Sequence, residues 1–165
     1  MESGGNELLE INIKKITEKE FLQERSSIPV LFSRDMNPRS YYIIDINGKK
    51  QWLIDQVDVG LENIPYMLYN KLNLLFVATT FNLYIIDYIK NKIVFEYDLI
   101  TPCVDFFANN EFVFIICEGE LLHFSIKLNR IVKYDIFSYA LENLSLTTDK
   151  AIITLENGET IVIEP

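Results

Sequence analysis

The chain of 165 residues has one histidine and two cysteines, and those scarcities exclude a good deal of chemistry. Cys103 and Cys117 form no CxxC pair, and the single imidazole, His123, cannot complete a zinc site with them. No GxSxG nucleophile elbow offers a serine triad. Phosphate-cradling loops of the GxGxxG or GxxxxGK[ST] kind are missing too. No apolar run reaches the ~18 residues of a membrane span. The opening stretch MESGGNELLEINIKK has no basic segment followed by an apolar one, so it does not read as a signal peptide. The expectation is a cytoplasmic, non-enzymatic protein with two buried, reduced thiols and no cofactor or metal.

Basic residues are also in the minority, 15 against 24 acidic ones, which leaves a net charge of -9. A phosphate backbone attracts Lys and Arg, so direct binding to nucleic acid is disfavoured. A basic protein partner, or simple solubility, suits the charge better. Hydrophobic residues make up 49% and aromatic residues 13%, which excludes a disordered acidic tail. The length suffices for one domain with a real core.

The stretch LYIIDYIKNKIVFEYD, Leu83 to Asp98, reads as strand, turn, strand, and it recurs. Laid over LLHFSIKLNRIVKYDI, Leu121 to Ile136, it matches at an offset of 38, with Asn91 on Asn129, Ile93 on Ile131 and Val94 on Val132. Phe112–Ile126 falls on Ala151–Pro165 at an offset of 39, with Gly119 on Gly158. Tyr41–Asp55 matches Leu83 onward at an offset of 42, with Asp45 on Asp87. A unit of about 40 residues with about four short strands is the spacing of a β-propeller blade.

Alternation and β-branched content place the strands. In the first unit they run near Val30–Ser33, Tyr41–Ile46 and Gln51–Asp55, and in the second near Ile64–Tyr69, Leu74–Thr80, Leu83–Ile89 and Ile93–Tyr97. The third unit has Cys103–Phe107, Phe112–Cys117, Leu121–Ile126 and Ile131–Asp135, and the fourth Leu144–Thr147, Ala151–Leu155 and Thr160–Ile163. Asn47-Gly48 and Asn157-Gly158 are hairpin signals. Leu8–Ile13 alternates well enough to supply the closing strand that the fourth unit lacks. A short helix near Thr17–Glu24 follows, with Thr17 as N-cap and Glu20 completing a capping box.

The fold class expected is therefore all-β: an antiparallel meander of about four propeller-like blades, either an open arc (half a propeller) or a small closed ring. The whole chain, 1–165, reads as one domain, with residues 1–27 forming the N-terminal strand and helix and 28–165 the repeats.

Up-and-down topology puts the first-to-second and third-to-fourth turns of every blade on one face. The remaining turns and the links between blades lie on the other. On the first face fall Lys49, Lys50, Lys71, Lys90, Lys92, Lys127, Arg130 and Lys150, against little but Glu111 and Asp149. On the second fall Asp58, Glu62, Asp98, Glu118, Glu120, Glu156 and Glu159, with only Arg34 and Arg39 intruding. One-signed loop clusters steer charged partners, so the acidic loops, with Tyr66 and Phe81 beside them, are the candidate partner-binding residues. Tyr69, Phe106, Phe107, Phe137 and Tyr139 lie near the same connections, where most aromatics serve sheet packing.

His123 aligns with apolar positions of the other copies and reads as a core or sheet-surface residue. The carboxylates sit on turns where nothing obvious raises a pKa, so a hydrolase is disfavoured. A loose calcium site from Glu118, Glu120, Glu156 and Glu159 lacks the DxDxDG pattern.

In its small size, acidity, β-rich single domain and the blade-like repeat of LYIIDYIKNKIVFEYD, the chain resembles an immunity protein of a bacterial contact-dependent growth-inhibition system. That family shares no common motif, so no residue roles carry over. The resemblance implies one cognate basic toxin, often a nuclease, held in a 1:1 complex over or near its active site. The alternative is a propeller-like adaptor or assembly module that uses the same surface in a multiprotein complex.

Overall fold

The structure is a computed structural model that describes residues 9–33, 36–60 and 63–164. The chain falls into two compact units, residues 1–61 and 62–165.

The first unit holds strands β1 (Ile11–Ile16), β2 (Val30–Phe32), β3 (Arg39–Ile46) and β4 (Lys49–Val57), with helix α1 (Glu18–Glu24) between β1 and β2. Its sheet runs in the order β1-β3-β4-β2. The helix begins where the sequence puts it. Thr17 Oγ1 accepts the Glu20 amide at 3.2 Å, and the Glu20 carboxylate accepts the Thr17 amide at 2.8 Å, so two otherwise unpaired donors are satisfied. Phe21 is the helix's buried residue, and its ring stacks on Tyr41 at 4.6 Å, packed with Ile43 and Leu53. Asn47 and Gly48 both adopt positive φ, 51° and 75°, the conformation of a type I′ turn joining β3 to β4.

Two expectations fail here. The N-terminal strand does not close the fourth sheet. It pairs antiparallel with β3 over its whole length, Ile11 opposite Ile46 and Ile16 opposite Tyr41. Its alternating Ile residues suit either edge, and only the register of both strands decides. In addition this unit is not an antiparallel meander throughout, because β2 runs parallel to β4. The up-and-down rule therefore does not assign faces in this unit.

In the second unit that rule holds throughout. Its strands are β5 (Tyr66–Tyr69), β6 (Leu74–Ala78), β7 (Asn82–Asp87), β8 (Lys92–Asp98), β9 (Cys103–Ala108), β10 (Phe112–Cys117), β11 (Glu120–Ser125), β12 (Arg130–Ile136), β13 (Leu141–Leu146), β14 (Ala151–Leu155) and β15 (Thr160–Ile163). They form three antiparallel sheets, β5-β6-β7-β8, β9-β10-β11-β12 and β13-β14-β15. The repeat is physical as well as textual. The β7–β8 ladder slips by one residue at Ile85/Ile86 and the β11–β12 ladder at His123/Phe124, the same place 38 residues on. Asn91 and Asn129, matched in the repeat, share a φ of 50° at the equivalent turn.

The central strands β10 and β11 of the β9–β12 sheet are buried on both faces, which explains the unbroken apolar run FVFIIC in β10. Val113, Ile115 and Cys117 pack toward Phe76, Ala78 and Ile85 of the preceding sheet. Phe114 and Ile116 pack toward Ala151, Ile153 and Leu155 of the following one. Phe124 meets Phe76 and Phe95 edge-on at 5.3 and 5.8 Å. Cys103 and Cys117 are buried thiols opposite each other on β9 and β10. A hydrogen bond between them, together with burial, pushes the Cys117 thiol far above its ordinary value.

Candidate functional site

Two sets of loops cap the sheets of residues 62–165, and charge separates them. One end carries the β5–β6, β7–β8, β9–β10, β11–β12 and β13–β14 turns, with Lys71, Lys90, Lys127 and Lys150. The other carries the β6–β7, β10–β11 and β14–β15 turns and the links between sheets.

At this second end the loops are tied to one another. The Leu99 amide donates to the Phe81 carbonyl at 2.8 Å and the Glu118 amide to the Pro102 carbonyl at 3.0 Å. The Phe137 amide donates to the Gly119 carbonyl at 2.9 Å, and the Leu141 amide to the Glu118 carbonyl at 2.8 Å. The Glu156 amide closes the series on the Ala140 carbonyl at 3.0 Å. The Leu141 bond crosses between sheets and the other four tie each link to a turn of its own sheet, so links and turns together form one connected surface.

Four of the expected carboxylates stand exposed on it: Asp98, Glu118, Glu156 and Glu159. Asp98 accepts a hydrogen bond from Asn82 Nδ2 at 2.7 Å, and Glu159 from Asn157 Nδ2 at 3.2 Å. None of the four forms a salt bridge among the described residues. Tyr66 is exposed beside them and Phe81 half-buried. Phe106 and Phe107 are core residues, whereas Tyr139 is 52% exposed.

Glu120 departs from expectation. It is 1% exposed, and Oε1 accepts the amides of Ile100 at 2.7 Å and Thr101 at 3.1 Å. Its carboxylate thus braces the β8–β9 link from inside and cannot meet a partner or join a calcium site. Gly119 allows this closeness, since a Cβ there would come within 3.0 Å of Thr101 Cγ2. The acidic letter of a turn reads as solvent-facing in the sequence. The inward direction is set by two backbone donors twenty residues away, which no local pattern reveals.

Asp58 belongs to the other unit. It pairs with Lys15 at 3.5 Å, and the Gly60 amide, then the Lys15 charge, holds its carboxyl below the usual range. Glu62 and Arg34 lie outside the described residues. Arg39 is held by the Asp55 carboxylate and by the Ser33 carbonyl at 3.0 Å. Sequence reasoning missed Ile100 and Ile136, 57% and 67% exposed at the acidic end. Their only signal is position, an apolar residue in a link or at the last place of a strand.

His123 is half-buried on β11, edge-on to Phe114 at 4.9 Å, with Nε2 3.2 Å from Asp135 Oδ2. Burial, with the nearby Lys133 charge, lowers its pKa below the ordinary imidazole value. That is the sheet-surface role expected of it. Among the described residues no three His, Cys, Asp or Glu side chains are grouped to hold a metal, and no helix is long and apolar enough to cross a membrane.

No protein-family model and no curated protein matches the chain. Solved structures do, and the class they define is the WD40-type β-propeller fold. Sqt1 of Saccharomyces cerevisiae superposes with a TM-score of 0.56 at 13% identity, over 93% of this chain and 44% of that one. The WD40 domain of Toxoplasma gondii coronin gives 0.52 at 9% identity, over 82% of this chain and 42% of that one. The computationally designed Ika4 protein gives 0.52 at 9% identity, over 82% and 89%. The chain thus spans less than half the length of the Sqt1 and coronin structures. At such identities the likeness is one of fold alone, and it lends the immunity-protein resemblance no support.

Proposed function

We propose that the chain is a non-enzymatic protein-binding module of the adaptor or assembly type, and that it receives a basic partner on the acidic loop face of residues 62–165. One observation carries this reading. Asp98, Glu118, Glu156 and Glu159 stand without salt bridges among the described residues, on loops joined by backbone hydrogen bonds. Such carboxylates need no internal pair to be broken before they meet a cation. Exposed Tyr66, Ile100, Ile136 and Tyr139 supply the apolar contact that a charged rim needs at its centre. The finer form of the reading is a cytoplasmic immunity protein that neutralises one cognate basic toxin, such as a nuclease, in a 1:1 complex. It rests on the acidity and the sequence resemblance.

Affinity capture from the source cells, with the natural chain beside a Glu118→Lys, Glu156→Lys, Glu159→Lys variant, tests both forms. The expected result is a basic protein recovered by the natural chain and lost with the variant. If that protein is a nuclease inhibited by the chain, the finer form stands. A partner retained equally by both would sink the acidic-face reading.

A further inference from the structure

The basic end of residues 62–165 carries two hollows made by the repeat. One, of about 340 Å3, is lined by Leu72, Leu74, Asp87 and Val94, and Ile126, just past β11, closes it. The other, of about 380 Å3, is lined by Asn110, Phe112 and Ser125, which stand 38 residues after Leu72, Leu74 and Asp87, and it shares Ile126. Both volumes lie in the ~300–1,000 Å3 range of ligand sites. The strand registers explain the likeness. Leu74 stands opposite Asp87 and Asp87 opposite Lys92, so the three share one face of their sheet. Phe112, Ser125 and Arg130 form the same row on the next sheet. Ile89 and Leu128, on the turns beside these rows, are 68% and 53% exposed.

Charge and spacing say what fits. Lys71, Lys92, Lys127 and Arg130 stand at these turns and strand starts, exposed and without a salt bridge among the described residues. Asp87 is buried, and its charge is answered: the Lys90 amide and ammonium, both at 2.9 Å, hold its carboxyl below the usual range. Among the described residues Glu111 is the other carboxylate in either lining. The four cations outnumber it, which favours an anionic occupant. Neighbouring sheets pack about 10 Å apart. An extended chain with three residues per turn carries side chains i and i+3 on one side, about 9 Å apart, close to that spacing.

We propose that the two hollows receive an extended acidic segment of a partner protein. Its apolar side chains at positions i and i+3 enter one hollow each, on either side of Ile126. Asp or Glu residues between and beside them meet Lys71, Lys92, Lys127 and Arg130. This site is independent of the acidic loop face, which lies at the other end of the same sheets.

The test is fluorescence anisotropy with the full chain and a labelled peptide, Asp-Glu-Leu-Asp-Glu-Leu-Asp-Glu, followed by hydrogen exchange of the complex. Saturable binding is expected, with new protection at the β7–β8 and β11–β12 turns. Serine in place of both leucines should weaken binding about tenfold, and a peptide of the same composition with adjacent leucines about fivefold. Val94→Trp, a change at an exposed position that fills the first hollow and keeps every charge, should weaken binding about tenfold. Lys71→Glu, Lys92→Glu, Arg130→Glu should do the same and flatten the salt dependence. Glu118→Lys, Glu156→Lys, Glu159→Lys should leave the peptide affinity unchanged, which separates this site from the acidic-face reading. Equal binding of the serine or adjacent-leucine peptide, no effect of Val94→Trp, or protection confined to the acidic loops would each overturn the proposal. So would a concentration-dependent dimer of the natural chain that protects the same two turns, since the occupant would then be a second copy.

Discussion

The two loop ends of residues 62–165 are made from the same strands, yet they are built differently. At the basic end the turns bond mainly within themselves or their own sheet, the exception being Asn109 Nδ2, which donates to the Glu164 carbonyl of the last sheet at 3.2 Å. The Lys90 amide donates to Asp87 Oδ1 at 2.9 Å, the Asn129 amide to the Ser125 carbonyl at 2.8 Å, and the Ile126 amide to the Glu111 carbonyl at 3.0 Å. Lys90 also pairs with Asp87 at 2.9 Å, so part of the positive charge is answered locally. At the acidic end the links carry the chain from sheet to sheet, each bonded to a neighbouring turn and one reaching the preceding sheet through the Leu141 amide and the Glu118 carbonyl, and four exposed carboxylates keep no cation of their own among the described residues. Independent hairpin tips suit solubility. A connected, one-signed surface suits recognition, because less order has to be created on binding.

Substitutions can separate the two ends. The largest loss of stability is expected from Phe124→Ala in the packing that both ends share. Removing a fully buried ring should cost about 4 kcal/mol in denaturant unfolding, and partner binding should fall only with the folded fraction. Next comes Glu120→Ala, which leaves the amides of Ile100 and Thr101 without their carboxylate acceptor. It should cost about 2 kcal/mol and also weaken partner binding, because the link it braces belongs to the acidic surface. A stability loss with partner affinity intact would break the claim that the connected loops matter. Smaller still is Asn129→Ala at the basic end, where a φ of 50° disfavours a Cβ-bearing residue without a polar side chain. About 1 kcal/mol of stability should go, with no change in partner affinity.

The mildest test is pH. His123 lies between the two ends, and its folded pKa is depressed, mainly by burial. Folding favours its neutral form, so this contribution is full above the unfolded value of about 6.5 and is lost as pH falls from there through the lower folded value. An NMR titration of the imidazole should give a midpoint below that of an unfolded peptide. His123→Phe should flatten that part of the stability profile.

Much of this was legible in the sequence because it is written locally. Phe112–Cys117, Ala151–Leu155 and Thr160–Ile163 are strands at the bounds their letters give, and the Thr17/Glu20 box starts the helix. Asn91 and Asn129 mark equivalent turns because asparagine tolerates the left-handed region. What was hidden depends on partners far along the chain. The Ile residues of β1 have no preference written into them for β3 over another edge. Asp58 looks available until Lys15, 43 positions earlier, is seen to hold it. Glu120 carries the same charge as Glu118, and only the amides of the neighbouring link turn one inward and leave the other in water.

The most direct test of the acidic face is the association rate of the captured partner with two triple variants over a range of ionic strength. The account predicts that Glu118→Lys, Glu156→Lys, Glu159→Lys slows association by about tenfold at low salt and removes most of its salt dependence. Lys90→Glu, Lys92→Glu, Lys127→Glu should leave the rate unchanged or slightly raised. Equal slowing by both variants, or by neither, would contradict it.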